Sequence, residues 1–551
     1  MSAPAVRPER GRAPRGRVEG RLLLGFALGL PSIAHAEPDS VPDLAEIGSD
    51  LAARAFVAPR TRTEVEVHGS FRIRQEALVN LDLDRGLDPS GQPLFTVPLG
   101  GGQTLDGGDL RLRTDIALRA PGAGVAVYTR LDVLDNVMWG GSPEAGTGRA
   151  PTPAASPGQE PGSISVERVW GEVLTPVGVL AAGRMGAHWG LGIAANGGDC
   201  DDCDGGDAAD RIAFASPIGG HVVALAWDMA SSGPFTPRKD ERRPLDLEPT
   251  DDASTWTAAV MRARSPSARN RRAAAGLATA EYAVFASHRR QENDVPAHYL
   301  PVATPRPPGA FDATDLMARG FSATTGGLWF RLSTPRARVE LEAVYARARV
   351  DQPSLVPGVL LDQPATSDQF GLAVETSVSL GAHALGVDAG VASGDDAPGF
   401  GAFPRPGAAA PQPGDLDGPQ ADPPGDTTVD NFRFHPDYRI DRILFAEIIG
   451  TVTDAIYLRP HVRLSLSETG PGRLSLTAAA ILSWAVQATS TPSGARALGV
   501  ELDPSLAYEA DGFRVALDYA VLLPGAAFDN PASSLDATAA HLVRLRLGMV
   551  F

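Results

Sequence analysis

The sequence is poor in cysteine: Cys200 and Cys203 are the whole supply. A pair this close in an oxidising compartment reads as a local disulfide, because half a zinc site would need two further soft ligands and none lies nearby. After residue 36 no stretch offers the ~18–20 uninterrupted apolar residues of a membrane-spanning helix, which excludes a helical anchor in the mature chain. A basic surplus is also missing. Asp and Glu number 66 against 49 Lys and Arg, giving a net charge of −17, so nucleic acid is excluded as a partner for want of a phosphate-binding face. There is no Gly-x-Ser-x-Gly elbow, and His188, His221 and His435 are scattered without a partner at a meaningful spacing, so an enzyme is not expected.

What is present starts with an export signal. Arg7, Arg10, Arg12, Arg15, Arg17 and Arg21 form a basic region, Leu22 to Leu30 an apolar one, and Ala34-His35-Ala36 a small-residue cleavage site before Glu37. Residues 1–36 are therefore expected to be a signal peptide. Residues 37–62, with a short helical pattern at Leu44, Ile47 and Leu51, are expected to be a periplasmic extension. An exported chain without a spanning helix still lives in a membrane if its strands close a barrel, since only helices and closed barrels satisfy every backbone group in lipid.

From Thr63 to Phe551 the chain repeats a strand, a tight turn, another strand and a long polar loop, the layout of a transmembrane barrel. Val65, Val67, Phe71 and Ile73 alternate with Glu64, Glu66, Arg72 and Arg74; Leu112, Ile116 and Leu118 oppose Arg111, Arg113, Asp115 and Arg119. The strand Val125 to Val133 carries Tyr128, Arg130 and Asp132 on one face. Charges filling one face while the other stays apolar suit lipid outside and water inside. Sixty glycines and 47 prolines supply the turns, expected near Thr175-Pro176, Ser216-Pro217, Ser333-Thr334-Pro335, Gly381, Gly470-Pro471-Gly472 and Asp511-Gly512. Counting Thr255 to Arg264 as a strand and Ser265 to Arg272 as a periplasmic turn makes short and long connections alternate. The expected fold is all-β: a closed antiparallel transmembrane β-barrel of about eighteen strands with long extracellular loops.

The segment Ala539 to Phe551, with Val543, Leu545, Leu547, Met549 and Phe551 opposite Arg544 and Arg546, resembles the closing strand of bacterial outer-membrane barrels. That resemblance implies contact with outer-membrane lipid and with the barrel-assembly machinery, which reads a terminal aromatic residue. Closure would bring Arg72, Arg74, Arg111, Arg113, Arg130, Arg544 and Arg546 onto one wall of the lumen. With Asp115, Asp132, Glu340 and Glu342 elsewhere, such a ladder would set up a transverse field favouring small polar or anionic solutes.

Two loops add candidate sites. Asp199, Asp202, Asp204 and Asp207 crowd around the cysteines and Gly205-Gly206, offering the hard oxygen ligands that calcium takes, although the twelve-residue loop with its final Glu is absent. Asn431 to Ile449 is rich in polar and aromatic residues, among them Arg433, His435, Asp437, Tyr438 and Arg439, and is expected to fold inward as a constriction.

The run Asn431-Phe432-Arg433-Phe434-His435-Pro436-Asp437-Tyr438-Arg439-Ile440-Asp441 resembles a family of uncharacterised outer-membrane proteins of myxobacteria. Gly183-Arg184-Met185 and His188-Trp189-Gly190-Leu191-Gly192, leading into Asn196-Gly197-Gly198-Asp199-Cys200, share the resemblance. It implies location in the bacterial outer membrane and a barrel fold, not an activity. A looser similarity to large substrate-specific porins, alginate-export barrels included, implies a porin-like channel. The alternatives are a plugged structural or surface-recognition barrel and, less in keeping with the residues, an outer-membrane hydrolase.

Overall fold

The computed structural model describes residues 63–95, 97, 102–138, 164–231, 248–295, 316–356, 359–404, 408–469 and 471–551. The expected signal peptide and periplasmic extension, 1–36 and 37–62, lie outside the described residues.

Among the described residues eighteen strands form one sheet. The first six are β1 (Glu64–Val79), β2 (Thr104–Ala120), β3 (Val125–Met138), β4 (Ile164–Thr175), β5 (Gly178–Gly186) and β6 (Ala208–Ile218). Next come β7 (His221–Ala230), β8 (Ala253–Arg262), β9 (Thr279–Asp294), β10 (Met317–Ser333), β11 (Ala337–Val350) and β12 (Ala365–Leu380). The last six are β13 (His383–Ala392), β14 (Ala455–Thr469), β15 (Gly472–Ala485), β16 (Ala497–Ala510), β17 (Phe513–Pro524) and β18 (Ala540–Val550). Every strand is antiparallel to the next, and β1 pairs with both β2 and β18, so the sheet joins its own ends. Closure leaves no edge, which a sheet in lipid requires.

Alternation decides what faces lipid. On β1 Val65 and Val67 are at least half exposed while Arg72, Arg74 and Glu76 are buried. The same split recurs round the barrel, with Ile212, Leu225, Leu517 and Leu523 at about half exposure on the outer face. An apolar surface on this scale is stable only against hydrocarbon, so the molecule is an outer-membrane-type transmembrane barrel.

The weak segment after Ala253 is a full strand, β8. The turn behind it carries a helix, α1 (Pro266–Ala274), started by Pro266 in its first turn and capped by Ser265, whose Oγ accepts from the Ala268 N–H. One turn is misplaced in the sequence reading: Ser216 and Pro217 belong to β6, and the chain reverses at Gly219-Gly220. Both glycines have positive φ, 59° and 80°, the conformation a two-residue hairpin needs and Ser-Pro cannot supply.

The long connections on the other side do not all stay outside. An apolar cluster joins Phe400, Phe432, Phe434, Ile443, Leu444, Phe445 and Ile448 of the β13–β14 connection to Leu78, Tyr457, Ile481, Leu522 and Leu542 of the wall. Those wall residues lie on the inward parity of their strands, so the connection is packed inside the barrel.

Candidate functional site

Register assembles the basic wall. Arg72 lies opposite Arg111 and Gly548, Arg74 opposite Asp109 and Arg546, Glu76 opposite Arg544, Arg113 opposite Asp132, and Asp115 opposite Arg130. The seven arginines therefore share one inner wall, from β18 through β1 and β2 to β3, and Arg168 on β4 extends it. Sequence reasoning missed Arg168 and Asp109; the latter's place between Arg72 and Arg74 follows only from the β1–β2 register.

The ladder is not bare. The β5–β6 connection, expected outside, enters the lumen as a finger whose tip is the Cys200–Cys203 disulfide. The Cys203 carbonyl accepts from Arg72 Nη1 at 2.6 Å and Arg111 Nη1 at 2.9 Å, and the Gly198 carbonyl from Arg113 Nη1 at 2.6 Å. Asp202 meets Arg74 at 3.2 Å, Arg544 at 3.3 Å and Arg546 at 3.5 Å. Asp204 pairs with Arg74 and Arg439, Asp199 with Arg130, and Asp201 with Arg514 at 3.0 Å. Burial alone would push the Asp202 carboxyl up, but Arg546, Arg544, Arg74 and Arg439 together hold it well below the usual carboxylate range. Asp199, only partly buried, is brought down to about 2 by Arg130 and Arg168.

The finger folds this way for local reasons. Gly198, at φ 70°, lies so close to the returning limb that a Cβ would sit 1.6 Å from the Gly205 carbonyl oxygen. Gly190 at the base has φ 57° and presses on Trp329 and Glu342. Glu342 Oε2 there accepts from the N–H groups of Leu191, Gly192 and Ile193 at 2.7, 2.9 and 3.2 Å. His188 accepts from the Gly197 N–H inside the finger.

The expected constriction segment meets the finger. Asp437 accepts from the N–H groups of Asp204 at 2.7 Å and Gly205 at 3.1 Å, and His435 Nε2 lies 3.6 Å from Asp207. Tyr438 donates to Glu375 at 3.3 Å, and Arg433 to the Ala402 carbonyl at 3.1 Å. Arg442 of the same segment extends the contact to Glu501 and Asp518 on the wall, two partners unforeseen in the sequence.

Two expectations are corrected. Asp115 and Asp132 do not face the ladder across the lumen: they are interleaved in it, Asp132 with Arg113 at 2.7 Å and Asp115 with Arg130 at 2.7 Å. Glu340 pairs with Arg338 at 3.1 Å on its own wall, so charge is compensated locally instead of forming a field between walls. The reason is the several kcal/mol that an unpaired buried ion costs. Asp199, Asp202, Asp204 and Asp207 do not converge as calcium ligands either, because their oxygens face guanidinium, imidazole and amide donors.

Opposite the finger the wall changes character. One rung runs Thr257, Ser287, Thr325, Ala346 and Gln369 across β8 to β12; the next runs Thr255, Arg289, Ala323, Ala348 and Ser367. These inward residues are partly exposed, and Arg289 is exposed. His221, by contrast, bonds Tyr282 near the turn at Gly219-Gly220.

No protein-family model and no curated protein matches the chain. Similar solved structures include the outer membrane protein OpdK from Pseudomonas aeruginosa, with a TM-score of 0.42 and 10% identity over 88% of this chain and 98% of that one. A BenF-like porin from Pseudomonas fluorescens Pf-5 gives 0.43 and 9%, covering 89% and 98%. The anion-selective porin from Comamonas acidovorans gives 0.38 and 9%, covering 89% and 100%.

Proposed function

We propose that this barrel is a porin-like channel of the bacterial outer membrane for the passive passage of small polar or anionic solutes. The observation that carries the reading is the partly exposed strip of small and hydroxyl side chains on β8 to β12, inside a closed barrel and across from a finger that covers the arginines. Thr255, Thr257, Ser287 and Thr325 exchange hydrogen bonds with a passing solute and water, and Arg289 adds an uncovered positive charge. Lipid wets the apolar outer face, and the strand β18, apolar at Val543, Leu545 and Met549, is the part offered to the assembly machinery. The likeness of residues 431–441 to myxobacterial outer-membrane proteins supports the same address.

A second reading, a plugged structural or surface-recognition barrel, is favoured by the apolar cluster around Phe434, Ile443 and Leu444, which closes one side of the lumen. Planar bilayer recording on the refolded full chain separates the two. A channel conducts, with a reversal potential shifted towards the anion in a salt gradient. Folded protein that never conducts is the plugged barrel.

A further inference from the structure

We propose that Asp395, Asp396 and Asp426, together with the amide oxygen of Gln420, bind one calcium ion at the root of the β13–β14 connection. One ligand oxygen from each of the three carboxylates lies within 4.8 Å of the others. Asp395 Oδ2 accepts from the Asp430 N–H at 2.7 Å, and Asp426 Oδ1 from Thr428 Oγ1 at 2.9 Å, so both are held in place. Among the described residues no cation pairs with any of the three, whereas the acids of the finger face arginines.

An acidic cluster on the surface is ordinary; Gln420 makes this one a site. It is 4% exposed and lines, with Asp396, Asp422 and Asp426, a cavity of about 470 Å³. Its Nε2 donates to the carbonyls of Gly399 and Gly418, and its Oε1, on the other branch of the amide, has no donor. A buried amide oxygen left without a donor costs ~1–3 kcal/mol, and a cation removes that cost. Three carboxylates and a neutral amide oxygen are hard ligands with no nitrogen or sulfur among them, the set calcium takes and zinc does not. The ion would join the end of β13 to a stretch about thirty residues further on, and so pin the base of the loop whose inner part meets the finger. This holds whether or not the barrel conducts.

Equilibrium dialysis of calcium against the folded full chain in detergent tests the site. One ion is expected to bind at roughly 0.1–1 mM, the range of extracellular calcium modules, with weaker competition from magnesium. Asp396 is exposed, so Asp396→Asn should fold; it is expected to weaken binding about tenfold by removing one charged ligand. Gln420→Leu should weaken it while leaving the charge unchanged. Asp202→Asn should leave the affinity as it is. Failure of the unaltered chain to bind calcium overturns the proposal, as does binding that survives Asp396→Asn or disappears in Asp202→Asn. If Gln420→Leu does not fold, Asp426→Asn takes its place, with the same loss expected.

Discussion

The two walls of this lumen are made by the same alternation and have opposite characters. Along the ladder on β18, β1, β2 and β3 the inward residues are long and charged, and most are buried under the finger. On β8 to β12 the two rungs from Thr257 to Gln369 and from Thr255 to Ser367 are Thr, Ser, Ala and Gln apart from Arg289, and they are not buried. Long side chains that must be neutralised recruit a loop; short neutral ones leave room. Passage is therefore expected along the wall that looks least chemical, with the arginines organising the plug that faces it.

The comparison is broken most severely by Arg74→Ala. Arg74 is fully buried and meets Asp109, Asp202 and Asp204, so its loss leaves carboxylates uncompensated in a low-dielectric site. A destabilisation of about 3–5 kcal/mol is expected, read by denaturant unfolding of the barrel in vesicles. Thr325→Ala, on the opposite wall, should stay within about 0.5 kcal/mol, as a partly exposed residue away from any network does.

Bulk discriminates the walls next. Replacing Thr257 and Ala346 together by Trp fills the strip, and single-channel conductance should drop to a small fraction while unfolding stays close to that of the unaltered chain. Conductance unaffected by that pair would mean the solute path lies elsewhere.

The smallest effect concerns pH. Asp199, at about 2, and Asp202 have depressed pKa values in the folded chain, so their contribution is present above the unfolded value of ~3.9 and is lost as pH falls through the folded value. The finger should stay docked between pH 7 and pH 5, and protease sensitivity of the Cys200–Cys203 tip should be flat over that window. A rise in cleavage near pH 5 would contradict the depressed values.

Much of this was legible in the chain. Period-two alternation needs only local sterics and one apolar face, so β1, β15, β17 and β18, the even strand number and the shared wall of arginines could be read directly. What could not be read is that the β5–β6 loop also turns inward, and which residues the inward loops meet. Asp199 to Asp207 looks from its spacing like a cation loop, and Asn431 to Ile449, expected to fold inward, carries no sign of what it meets there. Only closure places both against arginines four to thirteen strands away in the chain. The pairing of Asp202 with Arg544, or the gathering of Asp395 with Asp426, depends on long-range register.

Composition and alternation by themselves determined a closed, lipid-facing sheet, because burying a backbone in hydrocarbon admits few solutions. Tertiary structure alone decided which charges are cancelled and which side of the lumen stays wet, because compensation of a buried ion depends on distances that no spacing along the chain encodes.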